Sequence, residues 1–263
     1  MKILCVADIH GKNEYIVAAY NKFLDESYDQ IIFMGDYTDS FDRKNDQIIN
    51  CFEQIHAIKE KHQDNCILLL GNHDIQYLYF PDYRCSGFRP ELQPTITELI
   101  KQNESKYQVC YQIDKDDQHY LFSHAGVCRK WYKQNIDTIE SIASKAGLDI
   151  NASINLSSIF NTINETHDRK ILHSVGAIRG GWGKQIGGLT WCDKNEMLSY
   201  GPLIGFHQIV GHTPQPFIQK VEKFEGDKHY ENTSVTFIDV FNMHEQKTKV
   251  GFEVEIPFYT LEL

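Results

Sequence analysis

Side chains that bind metal ions or carry protons follow five short apolar segments of the sequence. The candidate residues are Asp8 and His10 after the first segment, Asp36 and Asp39 after the second, Asn72, His73 and Asp74 after the third, and His124 and His212 after two later segments. Before the third set, three leucines run through Gly71 directly into the polar triplet. An aspartate alone in such a place often serves only a turn. Five such ends in one chain predict a shared site.

The residue types indicate which ions this site would bind. Aspartate, histidine and asparagine, without cysteine, suit divalent ions of intermediate hardness such as Mn²⁺, Fe²⁺, Zn²⁺ or Mg²⁺. Even six of these side chains would exceed the four ligands of a structural zinc site. They suit two ions roughly 3.5–4 Å apart, which lower the pKa of a bound water from about 15.7 to around 7. The hydroxide so formed is a nucleophile for phosphorus.

The elements that would position these residues are visible in the first third of the chain. Residues 2–8, 30–36 and 65–72 are short apolar runs, and residues 13–26 and 46–61 carry helical apolar stripes. This β-α-β-α-β order predicts parallel strands joined by right-handed crossovers. Ligands of open α/β sheets bind at the carboxyl ends of the strands. Residues far apart in the sequence should therefore meet at one edge.

The later sequence has a different texture. It predicts a loop at 81–94, a helix at 95–101, paired strands at 107–114 and 119–126, a mostly helical and polar segment at 127–165, a glycine-rich loop at 176–188, and strands at 207–213, 234–241 and 249–256. We interpret residues 127–165 as a helical insertion that forms a small cap. Since no linker divides the sequence, we predict a single domain over residues 1–263.

Composition limits the partners and the compartment. The net charge of −10 argues against binding to a nucleic-acid backbone. No apolar run of about 18 residues occurs, so no membrane span is expected. The first apolar run is too short for a secretory signal, and the seven cysteines form no CxxC pair. Reduced thiols and a cytoplasmic location are expected.

Five motifs, in order, carry a resemblance to a known family. "DIHG", "GDYTD", "GNHD", "SHAG" and "GHTP" run from Asp8 to about Pro214, and together they resemble the calcineurin-like metallophosphoesterases. The chain looks most like the phosphoprotein phosphatase branch, which includes bacterial and phage serine/threonine protein phosphatases and symmetrical diadenosine tetraphosphatases. "GHTP" in place of GHTH favours this branch. The resemblance implies a two-sheet α/β/β/α sandwich with helices outside both sheets.

The resemblance also implies a role for each matching residue. One ion would be held by Asp8, His10 and Asp36. The second would be held by Asp36, Asn72, His124 and His212, with Asp36 bridging the two ions. His73 would protonate the leaving oxygen, and Asp39 would orient His73. Mn²⁺ is the expected metal, with Fe, Zn²⁺ or Mg²⁺ as alternatives.

One departure from the family pattern concerns substrate binding. The family's second motif continues as GDxxDRG, and its arginine grips the substrate phosphate. Here Ser40 occupies that position, Arg43 follows three residues later, and Arg179 lies in the glycine-rich loop. We predict Arg43 and Arg179 as the substrate-binding residues. Losing a bidentate clamp weakens orientation of the phosphate without removing the metal chemistry.

Three functions are compatible with the sequence. The first is a phosphomonoesterase that acts on a phosphoprotein or small phosphate ester by direct attack of metal-bound hydroxide. The alternative is a dinucleoside polyphosphate hydrolase, which would need a base pocket, for example at Trp182 or Tyr83. The third is a non-catalytic scaffold of the same fold. It ranks lowest because every expected ligand is present. The expected partner is a phosphorylated substrate, with no nucleic-acid backbone and no membrane.

Overall fold

The computed structural model describes residues 1–149, 156–251 and 254–263. This part of the chain forms two compact units. The first unit comprises Met1–Gln108, Pro214–Phe217 and Ile238–Leu263. The second comprises Val109–Thr213 and Ile218–Phe237.

Strands and helices are numbered here in chain order. The strands are β1 (Lys2–Val6), β2 (Gln30–Phe33), β3 (Cys66–Leu69), β4 (Tyr107–Gln108), β5 (Cys110–Lys115), β6 (Gln118–Ser123), β7 (Phe206–Val210), β8 (Gln219–Val221), β9 (Lys223–Phe224), β10 (Lys228–His229), β11 (Ser234–Phe237) and β12 (Tyr259–Glu262). The α-helices are α1 (Asn13–Asp25), α2 (Asn45–His62), α3 (Asn72–Leu78), α4 (Gln93–Gln102), α5 (Arg129–Gln134), α6 (Ile136–Lys145), α7 (Leu156–Asn164), α8 (Lys194–Tyr200) and α9 (Phe241–Lys249).

The first unit is built on a sheet with the strand order β12-β1-β2-β3-β4. Strands β1 to β4 are parallel, as predicted for the first three, and β12 runs antiparallel to β1. All residues of β2 and β3 are buried, as expected for parallel strands covered on both faces. Val6 pairs with Phe33, and Phe33 pairs with Leu68. The three polar segments that follow therefore leave the sheet at the same edge.

Helices α1 and α2 confirm the two predicted helical stripes, with one correction. The buried face of α1 is formed by Tyr15, Ile16, Ala19 and Phe23. Val17 and Leu24, which the apolar pattern assigns to the stripe, are half exposed. The helix turns Tyr15 and Ala19 inward because residues four apart share one face.

The second unit is built on a sheet with the strand order β5-β6-β7-β11-β8. Strands β6 and β7 are parallel, and so are β7 and β11, whereas β5 and β8 pair antiparallel with their neighbours. Trp131 and Phe160 are the largest buried side chains of its helices. The predicted α/β class with two multistranded sheets is confirmed.

The strand predicted over residues 107–114 is wrong in one respect, because it is divided at Val109. Its first part is β4 of the first sheet, and its second part is β5 of the second sheet. The side chain of Asn161 accepts hydrogen bonds from the N–H groups of Val109 and Cys110 at 2.9 and 3.3 Å. In a continuous strand these backbone N–H groups would donate to a neighbouring strand. Here they donate to the Asn161 side chain instead.

The strand predicted over 249–256 is also wrong where the structure describes it. Helix α9 ends at Lys249, and residues 254–256 form no regular element, while residues 252–253 lie outside the described part. Helix α9 is fixed at its start because Phe241 stacks on Tyr15 with ring centroids 4.3 Å apart. The strand predicted over 234–241 is shorter than expected and ends at Phe237.

The segment predicted as mostly helical, 127–165, contains α5, α6 and α7, and its residues 150–155 lie outside the described part. Residues 176–188 form a loop with one 3₁₀ turn, as predicted. Across the described ranges, every helix is too short or too polar to cross a membrane.

Candidate metal centre

In the first unit, the loop after β1 is hydrogen-bonded to the loop after β2. The N–H of His10 donates to the carbonyl oxygen of Asp36 at 2.9 Å. The Nδ1 atom of His10 lies 2.8 Å from the carbonyl oxygens of both Thr38 and Asp39. Because carbonyls only accept, Nδ1 must carry the proton, which leaves the lone pair on Nε2. Nε2 lies 3.7 Å from Oδ2 of Asp36, so both face the same point.

The backbone at these candidate residues is in an unusual conformation. Asp8, His10, Asp36 and Asp39 have φ values of 51°, 48°, 56° and 55°, and His212 in the second unit has a φ of 65°. Residues other than glycine rarely adopt this left-handed backbone conformation, and those that do cluster at functional sites. Asp8 and Asp36 are also almost completely buried.

The loop after β3 closes on Asp36. Oδ1 of Asp36 accepts a hydrogen bond from the backbone N–H of His73 at 2.9 Å. A Cβ atom at Gly71 would lie 2.1 Å from the same oxygen, so only glycine allows this approach. Asn72 is buried as the first residue of α3. Ligand atoms of His10, Asp36 and His73 all lie within 4.8 Å of one another.

Asp74 explains how two of these loops keep their shape. The carboxylate lies in the first turn of α3, where it caps the helix and accepts the N–H of Gly71 at 3.0 Å. It also accepts the N–H groups of Asp36 and Tyr37 at 2.8 and 3.0 Å. One buried charge therefore fixes both the turn that carries Asp36 and the helix that carries Asn72.

His73 and Asp39 form a hydrogen-bonded pair. Nδ1 of His73 lies 2.8 Å from Oδ2 of Asp39. Asp39 is itself held by two donors, the hydroxyl of Tyr77 at 2.5 Å and the side-chain amide of Gln76. This arrangement directs Nε2 of His73 away from the carboxylate, where it is able to deliver a proton.

The two histidines of this cluster differ in their electrostatics. Burial lowers the pKa of His10 to about 4, although the charge of Asp36 opposes it. A neutral imidazole is the form that binds metal. Burial also acts to lower the pKa of His73, but the carboxylates of Asp36 and Asp39 outweigh it and raise that pKa well above its ordinary value. Cations bound to Asp36 would cancel the effect of that carboxylate on the pKa of His73, and only the effect of Asp39 would remain.

In the second unit, the two later histidines lie together. His124 follows β6 and His212 follows β7, and these two strands are parallel neighbours. The rings pack edge to face with centroids 5.1 Å apart, and the N–H of Gly211 donates to the carbonyl oxygen of His124 at 2.8 Å. Both side chains are buried.

The two predicted substrate-binding arginines have different surroundings. Nε of Arg179 pairs with Asp193 at 2.7 Å, and its Nη2 donates to the hydroxyl of Thr213 at 3.0 Å, so it lies beside the residue that follows His212. Arg43 pairs with Glu14 and Glu245 at 2.7 and 2.8 Å. The Arg43 guanidinium therefore already neutralises two carboxylates.

A cavity of about 490 Å³ in the first unit borders His10 and His73. Its lining includes Lys12 and, from α9, Asn242 and Lys249. The Nζ of Lys12 donates to the side chain of Asn242 at 3.0 Å, and Lys12 is buried. Burial lowers the pKa of Lys12. This lysine is not among the residues predicted from the motifs, although it directly follows "DIHG".

Other residues beside the centre were also missed. Gln76 and Tyr77 read as ordinary helix positions, and the segment around Cys85 reads only as a loop. The available signal was proximity in sequence to "GNHD". It does not say which of the following side chains turn back toward Asp39.

The family of this protein is shown by its match to a known family model. The chain belongs to the calcineurin-like phosphoesterases, whose family model matches residues 1–216. It is thus a metallophosphoesterase, a hydrolase of phosphoester bonds, from a family whose members depend on two metal ions and act on phosphorylated substrates. Among curated protein sequences, none matches significantly.

Several solved structures are similar at a low level. A protein serine/threonine phosphatase from Saccharomyces cerevisiae with similarity to human phosphatase PP5 aligns at 14% identity and a TM-score of 0.45, over 91% of this chain and 67% of that chain. The phosphoesterase Yfce from E. coli aligns at 13% identity and a TM-score of 0.31, over 48% of this chain and 58% of that chain. At these scores the likenesses carry no argument about substrate.

The residues of the first unit fit the divalent ions that the family requires. They offer buried carboxylates, a buried amide, and an imidazole nitrogen whose lone pair is left available by its tautomer. Oxygen and imidazole donors of this kind suit Mn²⁺, Fe²⁺ and Zn²⁺.

Proposed function

We propose that this protein is a phosphomonoesterase of the protein-phosphatase type that uses two divalent cations, with Mn²⁺ as the preferred metal. The observation that carries the proposal is the cluster of the first unit, in which Asp36, His10 and the His73–Asp39 pair come together. This cluster combines a negatively charged cation site with a proton donor. Hydrolysis of a phosphate ester needs both.

The proposed ligands follow from the family resemblance and the local geometry. Asp8, His10 and Asp36 would hold one cation. Asp36 and Asn72 would hold the other, together with His124 and His212 of the second unit. When bound, the cations supply positive charge for the phosphate and an acidified water as nucleophile. The paired packing of His124 and His212 supports their acting together.

His73 is proposed as the general acid. The carboxylate of Asp39 raises the pKa of the His73 imidazole and so favours its protonated form, and it holds the ring in one orientation. Transfer of the Nε2 proton to the leaving oxygen would contribute about 10²- to 10⁴-fold. Asp39 acts through His73, and its own contacts with Tyr77 and Gln76 keep it in place.

More than one positively charged side chain is proposed to bind the phosphate. Arg179 remains the leading arginine, since Asp193 and Thr213 hold it in a defined position. Arg43 would have to leave Glu14 and Glu245 to contribute. Lys12 borders the same cavity as His10 and His73. Its charge would partly replace the family's arginine, whose position Ser40 occupies here.

Two further predictions are kept as proposals. A cytoplasmic location is supported by the seven cysteines, which are all free thiols. The single-domain organisation with a helical insertion at about 127–165 is supported by a family match that runs through both units.

The test is product analysis with defined metals. The purified protein, freed of metal and reloaded with Mn²⁺, should release inorganic phosphate from a phosphoserine peptide and should do so less with Mg²⁺. Diadenosine tetraphosphate serves as the competing substrate, and faster formation of ADP from it would replace the proposal with the nucleotide hydrolase. Near-zero binding of metal even with added Mn²⁺, together with no turnover of either substrate, would favour the scaffold.

A further inference from the structure

Three potential ligand atoms of the first unit lie together at the Nδ1 side of His73. They are Nδ1 of His73, Oδ2 of Asp39 and Sγ of Cys85, and all three lie within 4.8 Å of one another. Sγ of Cys85 lies 3.5 Å from Nδ1, and Oδ2 of Asp39 lies 2.8 Å from it. Cys85 is not among the ligands proposed above for the two catalytic cations.

The thiol is held at this place by several contacts. The N–H of Cys85 donates to the side-chain carbonyl of Gln76 at 3.0 Å. Two residues on, Gly87 has a φ of +85°, and a Cβ atom there would lie 3.1 Å from Cβ of Asp39. The N–H of Arg89 donates to the hydroxyl of Tyr77 at 2.9 Å. The loop is therefore fastened to the same residues that hold Asp39.

The spacing fits a tetrahedral ion. Ligands at about 2.0 Å for nitrogen and 2.3 Å for sulfur lie roughly 3.5 Å apart around a tetrahedral zinc. The observed separation of Sγ and Nδ1 is 3.5 Å. The pair formed by Nδ1 and Oδ2 would open by about 0.5 Å, because oxygen and nitrogen ligands at about 2.0 Å lie roughly 3.3 Å apart. Three protein ligands leave the fourth position for water.

We propose that Asp39, His73 and Cys85 form a separate binding site for a thiophilic divalent cation, Zn²⁺ or Cd²⁺, which inhibits the enzyme. A thiolate beside imidazole and carboxylate selects such ions over Mn²⁺ and Mg²⁺, which prefer oxygen. The ion has access because Asp39, His73 and Ser86 border the open cavity.

Inhibition rests on the proposed function of His73, whereas binding does not. An ion on Nδ1 takes the position of the proton that His73 shares with Asp39. The remaining N–H on Nε2 then belongs to a metal-bound imidazole, which is a much weaker acid than an imidazolium. The leaving oxygen loses its proton donor while the catalytic cations stay in place.

The first experiment measures binding by spectroscopy. Co²⁺ added to the Mn²⁺-loaded protein should give the near-ultraviolet charge-transfer band of a thiolate–cobalt bond, since the catalytic ligands contain no sulfur. The band should vanish in Cys85→Ser and persist in Ser86→Ala, a neighbour on the same cavity that offers no thiol. A band that survives in Cys85→Ser, or a wild-type protein without a band, overturns the proposal even if the protein hydrolyses nothing.

The second experiment measures inhibition by Zn²⁺ in the Mn²⁺-loaded protein, with each variant compared with its own zinc-free rate. We expect Cys85→Ser to raise the half-inhibitory concentration by at least about 10-fold, because loss of a residue that only supports a metal ligand already costs about 10- to 100-fold. Ser86→Ala should behave as wild type. Equal inhibition of Cys85→Ser and wild type would mean that zinc acts by replacing the catalytic ions, and it would overturn the proposal.

Discussion

The two units end their parallel strands in different chemistry. In the first unit, β1, β2 and β3 lead to Asp8, Asp36 and Asn72, and the loops are tied together by backbone bonds and by Asp74. In the second unit, β6 and β7 lead to His124 and His212, joined by one backbone bond. One unit concentrates carboxylates in its loops, and the other presents imidazole nitrogens.

This difference indicates a division of labour. Buried carboxylates need a counter-charge, so the first unit has a strong intrinsic demand for cations. Neutral imidazoles have no such demand, and they add ligands to a cation that carboxylates already attract. We therefore expect ligand substitutions in the first unit to cost more than those in the second.

The largest effect is expected from Asp36→Asn compared with His124→Asn. Asp36→Asn should abolish binding of both ions, because the proposed bridge is lost, and should lower kcat/KM by far more than the roughly 10- to 100-fold typical of an outer partner. His124→Asn should retain one ion. Elemental analysis and steady-state kinetics measure both, and equal metal loss in the two variants would contradict the division of labour.

A smaller loss is expected from removing the proton donor of the first unit. His73→Ala should retain both ions and lower kcat on a phosphoserine peptide by about 10²- to 10⁴-fold. On p-nitrophenyl phosphate, whose leaving group needs little protonation, the loss should be slight. Equal losses on the two substrates would exclude the role of general acid.

The same pair predicts a pH dependence. His73 must be protonated to act, so activity should fall as pH rises through its raised pKa. Asp39→Asn removes a carboxylate that raises this pKa, so the alkaline limb of the kcat profile should move to lower pH. Profiles of kcat against pH for wild type and Asp39→Asn measure the shift, and a limb that does not move would assign it to another group.

Replacing one buried phenylalanine in each unit by alanine tests whether the two units unfold together. Phe52→Ala in the first unit and Phe160→Ala in the second each remove a fully buried ring, at a cost of about 3–5 kcal/mol. If the chain is one cooperative domain, both variants should lower a single unfolding transition in calorimetry. Two transitions, each sensitive to only one variant, would contradict the single-domain prediction.

The smallest effect is expected at the arginines. Arg179→Lys should raise KM for the phosphopeptide by about 10-fold, equivalent to about 1.4 kcal/mol, because lysine lacks the forked donors. Arg43→Lys is the matched control and should leave KM nearly unchanged, since Glu14 and Glu245 already occupy that guanidinium. A larger effect at Arg43 would reverse the two assignments.

The sequence predicted those features that depend on local pattern. Strands β1 to β3 are continuous apolar runs, and the motifs follow them directly, so their order and shared edge were readable. The break at Val109 was not, because a side chain 52 residues away supplies the competing hydrogen bond. Helix α9 was missed because the ring that stacks on Phe241 is Tyr15, which comes from α1. Lys12 was missed because its burial beside Asn242 is a long-range contact.

Asp74 has a consequence for how this centre tolerates change. Its carboxylate accepts backbone protons from the turn of Asp36 and from Gly71, yet it is not among the proposed metal ligands. The spacing between Asp36 and Asn72 is thereby set by a third side chain. A substitution at Asp74 would therefore disturb the turn of Asp36 and the start of α3 together, although it removes no proposed ligand.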